Sequence, residues 1–392
     1  MRLEKTVYPD YNKSILNITA SILHYFGCNH HYPALKELSK EYLDKFDNIV
    51  FMVVDGLGSE LVKYHLPESS LFRKNTVTTL TSVFPPTTSA AISSYLSGVS
   101  PLEHGIIGWT LYFKEYFKLI DFLPLNDTTT GEPLPDFYSD VHRKFHFESI
   151  FNIIHELRPD IEQHYVTPDF LSNSKYTKMA SNSAEMHSYT AIESALTYIV
   201  KSIKGNSNKK LFYCYTNEPD KSMHKLGVYN DDITEIITNI EKQIEILYKQ
   251  LEGTKSLIIV TADHGMIEVR DSIYANEEKA LCDSLVLPTF PEPRFISCFV
   301  HKDKESEFLE FVKEYEDDFI VMSKSEFLVK AILGKGTPHP RLSSMLGDYL
   351  LIAKGDKAIQ TSYPQSDSTF KFKAMHAGLS AEEMLVPLIL LD

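Results

Sequence analysis

The chain has 392 residues, a net charge of −14, and 43% hydrophobic and 23% charged residues. This is the composition of an ordinary globular protein, large enough for one elaborated α/β domain or for two domains. No block of Lys and Arg occurs, which argues against a nucleic-acid polymer as partner, because such binding rests on many cation–phosphate contacts.

The first predicted element is a helix from Tyr11 to Phe26. Asn48 to Val54 is then a continuous apolar run ending in Asp55-Gly56, the pattern of a strand buried on both faces of a parallel sheet. An extended segment over residues 76–83 leads into Phe84-Pro-Pro-Thr-Thr-Ser89 and a small-residue helix stopped by Gly98. Thr87, Thr88 or Ser89 can cap that helix, and its free N–H groups favour a phosphate. A capped helix without function is the plainer alternative. Residues 110–145, aromatic-rich and interrupted by Pro124, Pro133 and Pro135, read as a loop or lid beside the substrate rather than as sheet.

A helix (149–157), a short strand (163–166) and a second helix (189–203) follow. Leu211 to Tyr215 is another buried strand, leading to Asp220 and His224. A helix over 231–251 precedes a third buried strand, Ser256 to Val260, which runs into Asp263-His264. From Pro293 the pattern is strand, helix, strand, helix. We read 293–335 as a small inserted α+β subdomain between core segments 1–292 and 336–392, with 348–353 resuming the core sheet. The four cysteines, Cys28, Cys214, Cys282 and Cys298, are far apart and suggest neither a disulfide framework nor a CxxC metal knuckle. No signal-peptide pattern and no membrane span is visible. A cytoplasmic protein without a membrane partner is expected.

Parallel strands bring their carboxyl ends to one edge, so Asp55, Asp220 and Asp263 should converge. Three unpaired carboxylates there would repel one another, and divalent metals remove the problem. His224, His264 and His376 supply nitrogen donors, and a mixed Asp/His set suits zinc better than magnesium or calcium. Two divalent ions against three carboxylates leave one positive charge for an anionic phosphate.

The set Val-Val-Asp55-Gly, Phe-Pro-Pro-Thr-Thr88 through Gly98, Pro101-Leu-Glu-His-Gly, Glu-Pro-Asp220-Lys-Ser-Met-His224, Ala-Asp263-His264-Gly and His376-Ala-Gly-Leu-Ser resembles the alkaline phosphatase superfamily, in its nucleotide pyrophosphatase/phosphodiesterase branch. The resemblance implies a three-layer α/β/α sandwich with a mostly parallel sheet. It implies two zinc ions, one held by Asp220, His224 and His376 and the other by Asp55, Asp263 and His264 with the Thr88 oxygen. Thr88 would be the nucleophile, giving a phosphothreonine during hydrolysis of a phosphodiester or nucleotide pyrophosphate bond. Ala91 stands where the branch leads one to expect a phosphate-binding asparagine. Trp109 and Tyr112 are candidates for stacking on a small phosphorylated substrate. Glu103 and His104 are read as structural. The alternatives are a phosphonate or phosphomonoester hydrolase on the same scaffold, and a metal-dependent binding protein without turnover.

Overall fold

The computed structural model describes residues 6–138, 140–363 and 371–392. Its main sheet has seven strands in the order Thr76–Thr81, Leu385–Leu391, Ser256–Thr261, Asn48–Val54, Lys210–Thr216, Glu162–Pro168 and Glu185–Tyr189. Leu385–Leu391 runs antiparallel to both of its neighbours, and the other pairings are parallel. Every residue of Asn48–Val54 and Lys210–Thr216 is buried, which requires helices over both faces of the sheet. Leu16–Tyr25 packs with Thr88–Ser97, and Ile192–Gly205 packs with Asp231–Gln250. The three apolar runs in the sequence are therefore the three adjacent central strands, and their carboxyl ends share one edge.

The helix Thr88–Ser97 is anchored to the sheet through Tyr95. Its Tyr95 ring meets Phe51 of the central strand edge-on, with centroids 5.0 Å apart, and its hydroxyl donates to the Ala262 carbonyl at 2.8 Å. Gly98 ends it with φ 75°, a left-handed conformation that costs a glycine little.

Three expectations are corrected. Residues 348–353 do not rejoin the main sheet. Tyr349–Ala353 lies between Phe295–Cys298 and Phe319–Ser323 in a separate four-stranded antiparallel sheet completed by Phe290–Glu292. That sheet has its own core, with Ile296, Phe308, Phe311, Phe319 and Leu351 among its members. An apolar run marks a buried strand without saying which sheet buries it. The supposed lid contains a three-stranded sheet of Thr110–Phe113, Lys118–Asp121 and Asn126–Asp127. Finally, Glu185–Tyr189 is an edge strand, and the helix after it starts only at Ile192. A half-exposed edge strand lacks the apolar run that betrays a central one.

Candidate active site

The sheet edge assembles the residues singled out above. Asp55 directly follows the strand Asn48–Val54, and Asp263 lies two residues beyond Ser256–Thr261. Asp220 opens the helix Asp220–Leu226, so His224 sits one turn further along the same face. The Asp220 backbone N–H donates to the Asp55 carbonyl at 3.2 Å, fixing the two carboxylates side by side. His376 is delivered from far along the chain by the antiparallel pairing of Ala374–Met375 with Ile267–Glu268. Its ring stacks on that of His264 with centroids 3.9 Å apart.

Two groups of side chains each bring their ligand atoms within 4.8 Å of one another: Asp220, His224 and His376, and Asp55, Asp220 and His264. The first is the expected trio. In the second, Asp220 takes the place expected of Asp263. Asp263 is still close, with Oδ2 3.5 Å from His264 Nε2. Its Oδ1 accepts from the backbone N–H groups of Gly56 and His264 at 3.1 and 3.0 Å.

The hydrogen bonds of the three imidazoles set their tautomers. Each imidazole donates its Nδ1–H to a carbonyl: His224 to Ala374 at 2.8 Å, His264 to Gly265 at 2.9 Å, His376 to Pro86 at 3.2 Å. A carbonyl oxygen only accepts, so the proton sits on Nδ1 and Nε2 keeps its lone pair. Those lone pairs face carboxylate oxygens: His224 Nε2 is 3.4 Å from Asp220, and His264 Nε2 is 3.4 Å from Asp55. Asp55 Oδ1, Asp220 Oδ1 and Asp263 Oδ2 are buried without a hydrogen-bond partner. Acceptors facing acceptors in a buried site call for cations, and nitrogen with carboxylate oxygen is a donor set that suits zinc.

In the protein alone, burial and then mutual repulsion push the Asp55 and Asp220 carboxyls well above the ordinary range. Burial raises Asp263 to about 6. The same desolvation lowers His224 to about 4 and His376 well below its usual value. Tyr215 donates to Asp55 Oδ2 at 2.5 Å and holds that carboxylate in place.

The structure separates the three neighbouring hydroxyls. Thr87 is the N-cap residue, but its Oγ1 makes no cap bond and donates instead to Glu292 Oε1 at 2.6 Å. Ser89 is fully buried and its Oγ has no partner. Thr88, half-buried, places its Oγ1 3.3 Å from His264 Nε2. It also lines two cavities of about 650 and 610 Å³, which share Thr88, Trp109, Asp220 and Lys221 in their walls.

Trp109 lies on both cavities, as a substrate contact would. Tyr112 does not line either; it packs against Phe290 and Phe299. Ala91 is fully buried in the helix and lines neither cavity, so a longer side chain there would meet the core rather than the phosphate. Glu103 completes a capping box with Ser100, and His104 is buried against Ser94, which fits the structural reading of both. Arg341 Nη2 donates to both carboxylate oxygens of Glu115, at 2.8 and 2.7 Å.

Glu292, Asp121, Asn217 and Lys221, which no pattern in the sequence singles out, also line one or both cavities. Glu292 accepts from both Thr87 and the Trp109 backbone, at 2.6 Å each, and burial raises its carboxyl to about 7. Its only trace in the sequence is a lone acid between Pro291 and Pro293.

The mostly parallel sheet thus gathers carboxylates and imidazoles at its carboxyl edge. Residues 49–285 match the family described as type I phosphodiesterase / nucleotide pyrophosphatase, and the chain belongs to that family. Among solved structures it is similar to murine ectonucleotide pyrophosphatase/phosphodiesterase 5, at 16% identity and TM-score 0.62 over 87% of each chain. It is similar also to phosphonoacetate hydrolase from Sinorhizobium meliloti in complex with phosphonoformate, at 16% identity and TM-score 0.62 over 88% of this chain and 89% of that one. An inactive variant of the murine protein, in complex with AMP, matches at 15% identity and TM-score 0.62 over 87% of each chain. Comparison with curated protein sequences finds no match. Among the described residues, no helix is long and apolar enough to cross a membrane.

Proposed function

We propose that the protein hydrolyses a phosphodiester or nucleotide pyrophosphate bond through a covalent phosphothreonine at Thr88, with two divalent metal ions, zinc by preference, as cofactors. Asp220, His224 and His376 would hold one ion. Asp55, Asp263 and His264, with Asp220 at the boundary, would hold the other. Bound there, the ions would neutralise the three carboxylates and supply Lewis acidity at the attacking and leaving oxygens.

The observation that carries the reading is the position of Thr88. Its hydroxyl is the one among three neighbours that faces the ligand cluster and opens on both cavities. A cavity on either side of the nucleophile gives a diester room for both substituents, whereas a monoester needs one. The Thr88 hydroxyl gives up its proton to solvent, Oγ1 bonds to phosphorus as the P–O bond to the leaving group breaks, and the leaving oxygen takes up a proton from solvent. Water then attacks phosphorus, the P–Oγ1 bond breaks, and a proton of that water returns to the threonine oxygen. Free N–H groups at the start of Thr88–Ser97 are placed to receive the phosphoryl oxygens, with Asn217 and Lys221 in the adjoining wall.

The murine relative's AMP complex fits this reading. The phosphonate complex of the bacterial one favours a second, hydrolysis of a phosphonate on the same scaffold. We also place the protein in the cytoplasm, a reducing compartment in keeping with four free cysteines. The deciding experiment is elemental analysis joined to parallel assays on a nitrophenyl phosphodiester, a nitrophenyl phosphate and phosphonoacetate. Two metal ions per chain and the highest kcat/KM on the diester are expected. Fewer than two ions at full occupancy would remove the two-metal site, and a dominant rate on either other substrate would reassign the reaction.

A further inference from the structure

The two cavities that meet at Thr88 differ in what their far walls offer. The larger one sets two carboxylates, Glu292 and Asp121, among the rings of Trp109, Phe290, Tyr363 and Phe372. Glu292 is 7% exposed, and both of its hydrogen bonds, from Thr87 Oγ1 and the Trp109 N–H, end on Oε1. Among the described residues Oε2 accepts none. Asp121 accepts from the Thr110 and Thr128 hydroxyls at 2.8 and 2.7 Å, and the Trp109 side chain stands beside it in the wall.

No lysine or arginine pairs with either carboxylate among the described residues. Lys221 and Lys225 reach this cavity only as exposed side chains. The charged neighbours that act on Asp121 and Glu292 are themselves carboxylates, Asp127, which is paired with Lys118, on the first and Asp121 on the second. A buried acid with an open oxygen, in a wall shared with aromatic rings, is complemented by a cation. A hydroxyl group would fill the hydrogen bond and leave the charge. A chain of phosphates would be repelled.

Resting on the diesterase reading above, we propose that this cavity binds one substituent of the diester and selects an alkylammonium group. Glu292 Oε2 accepts from the ammonium N–H, and the rings of Trp109 and Phe372 cover its methylenes. Glu292 is then a specificity-determining residue, and it also ties the substituent's position to the nucleophile through Thr87.

The test compares 2-aminoethyl, 2-hydroxyethyl and propyl 4-nitrophenyl phosphates as substrates of the metal-loaded protein. These esters share one leaving group and nearly one shape. The 2-aminoethyl ester is expected to show a kcat/KM at least about tenfold above the propyl ester. In Glu292→Gln that ratio is expected to fall below about threefold, because the amide keeps the bonds from Thr87 and Trp109 but loses the charge. Equal values for the aminoethyl and propyl esters overturn the proposal. So does a hydroxyethyl ester as good as the aminoethyl one, or a preference that survives in Glu292→Gln. If none of the esters turns over, the diesterase reading fails by itself, and calorimetric binding of 2-aminoethyl and propyl methylphosphonate decides the cavity's preference. Tenfold tighter binding of the first, lost in Glu292→Gln, upholds that preference, and equal binding overturns it.

Discussion

The Thr88 hydroxyl lies 3.3 Å from His264 Nε2, the same nitrogen that faces Asp55 and Asp263 at 3.4 and 3.5 Å. That nitrogen is where the Thr88 hydroxyl meets the cluster of carboxylates and imidazoles. Replacing Thr88 by Ala should therefore lower kcat by at least about 10³-fold while leaving metal content near wild type. Thr87→Val, which loses only the bond to Glu292, should cost about tenfold or less. Rates measured on a nitrophenyl diester decide it: a Thr88→Ala protein within tenfold of wild type would end the nucleophile assignment.

Asp220 belongs to both compact ligand groups, whereas His376 belongs to one. Asp220→Ala should accordingly empty both positions after dialysis, and His376→Ala should lose about one ion per chain while keeping the other. Elemental analysis of the dialysed variants measures this. Equal losses in the two variants would show that the groups are not separate sites.

The pH dependence of metal uptake follows from the carboxylates. Asp263 is raised to about 6, so in the metal-free protein below that pH it carries a proton that an entering ion must displace. His224, lowered to about 4, is already deprotonated across this range. Affinity should thus fall as pH drops from 7 to 5, with more protons released per ion at pH 5.5 than at pH 8. Calorimetry in two buffers of different ionisation enthalpy reports the count. A release that does not change over that interval contradicts the assignment.

Much of the site was legible because its chemistry depends on strand ends. Asp55 and Asp263 follow apolar runs that can only be central strands, and Asp220 and His224 sit four apart on one helix. Glu292 was not legible. It lies in Phe-Pro-Glu-Pro, which reads as a boundary, and its importance comes from Thr87 and Trp109, distant in sequence. Tyr349–Ala353 was legible as a strand but not as a member of the smaller sheet, since pairing partners are set by tertiary packing rather than by the run itself. The alternation in Thr110–Phe113 and Lys118–Asp121 was masked by the prolines that follow.

Behind His376 stands a fully buried ion pair. Arg294 donates to both oxygens of Glu383, at 2.6 and 2.8 Å, and to the carbonyls of Lys357 and Gly355. Glu383 in turn accepts from the backbone of Gly378 and Ser380. This network fixes the turn in which Ala377 holds φ 91°, a conformation that costs a non-glycine residue about 1–3 kcal/mol. Arg294→Met leaves Glu383 buried and unpaired, and should destabilise the fold by about 3–5 kcal/mol in chemical denaturation. It should also weaken metal retention at the His376 position. A loss under about 1 kcal/mol would mean that the turn holds itself.

The candidate ligands come from residues 55, 220–224, 263–264 and 376, so an occupied site would act as a cross-link between remote parts of the chain. The entropy of closing such loops grows only with the logarithm of their length. Two ions binding the folded form alone would therefore stabilise the chain by mass action, as any folded-state ligand does. They would also tie the final strand, Leu385–Leu391, to the order set by the first, Asn48–Val54. In this protein, filling the metal site would signal that the chain has finished folding.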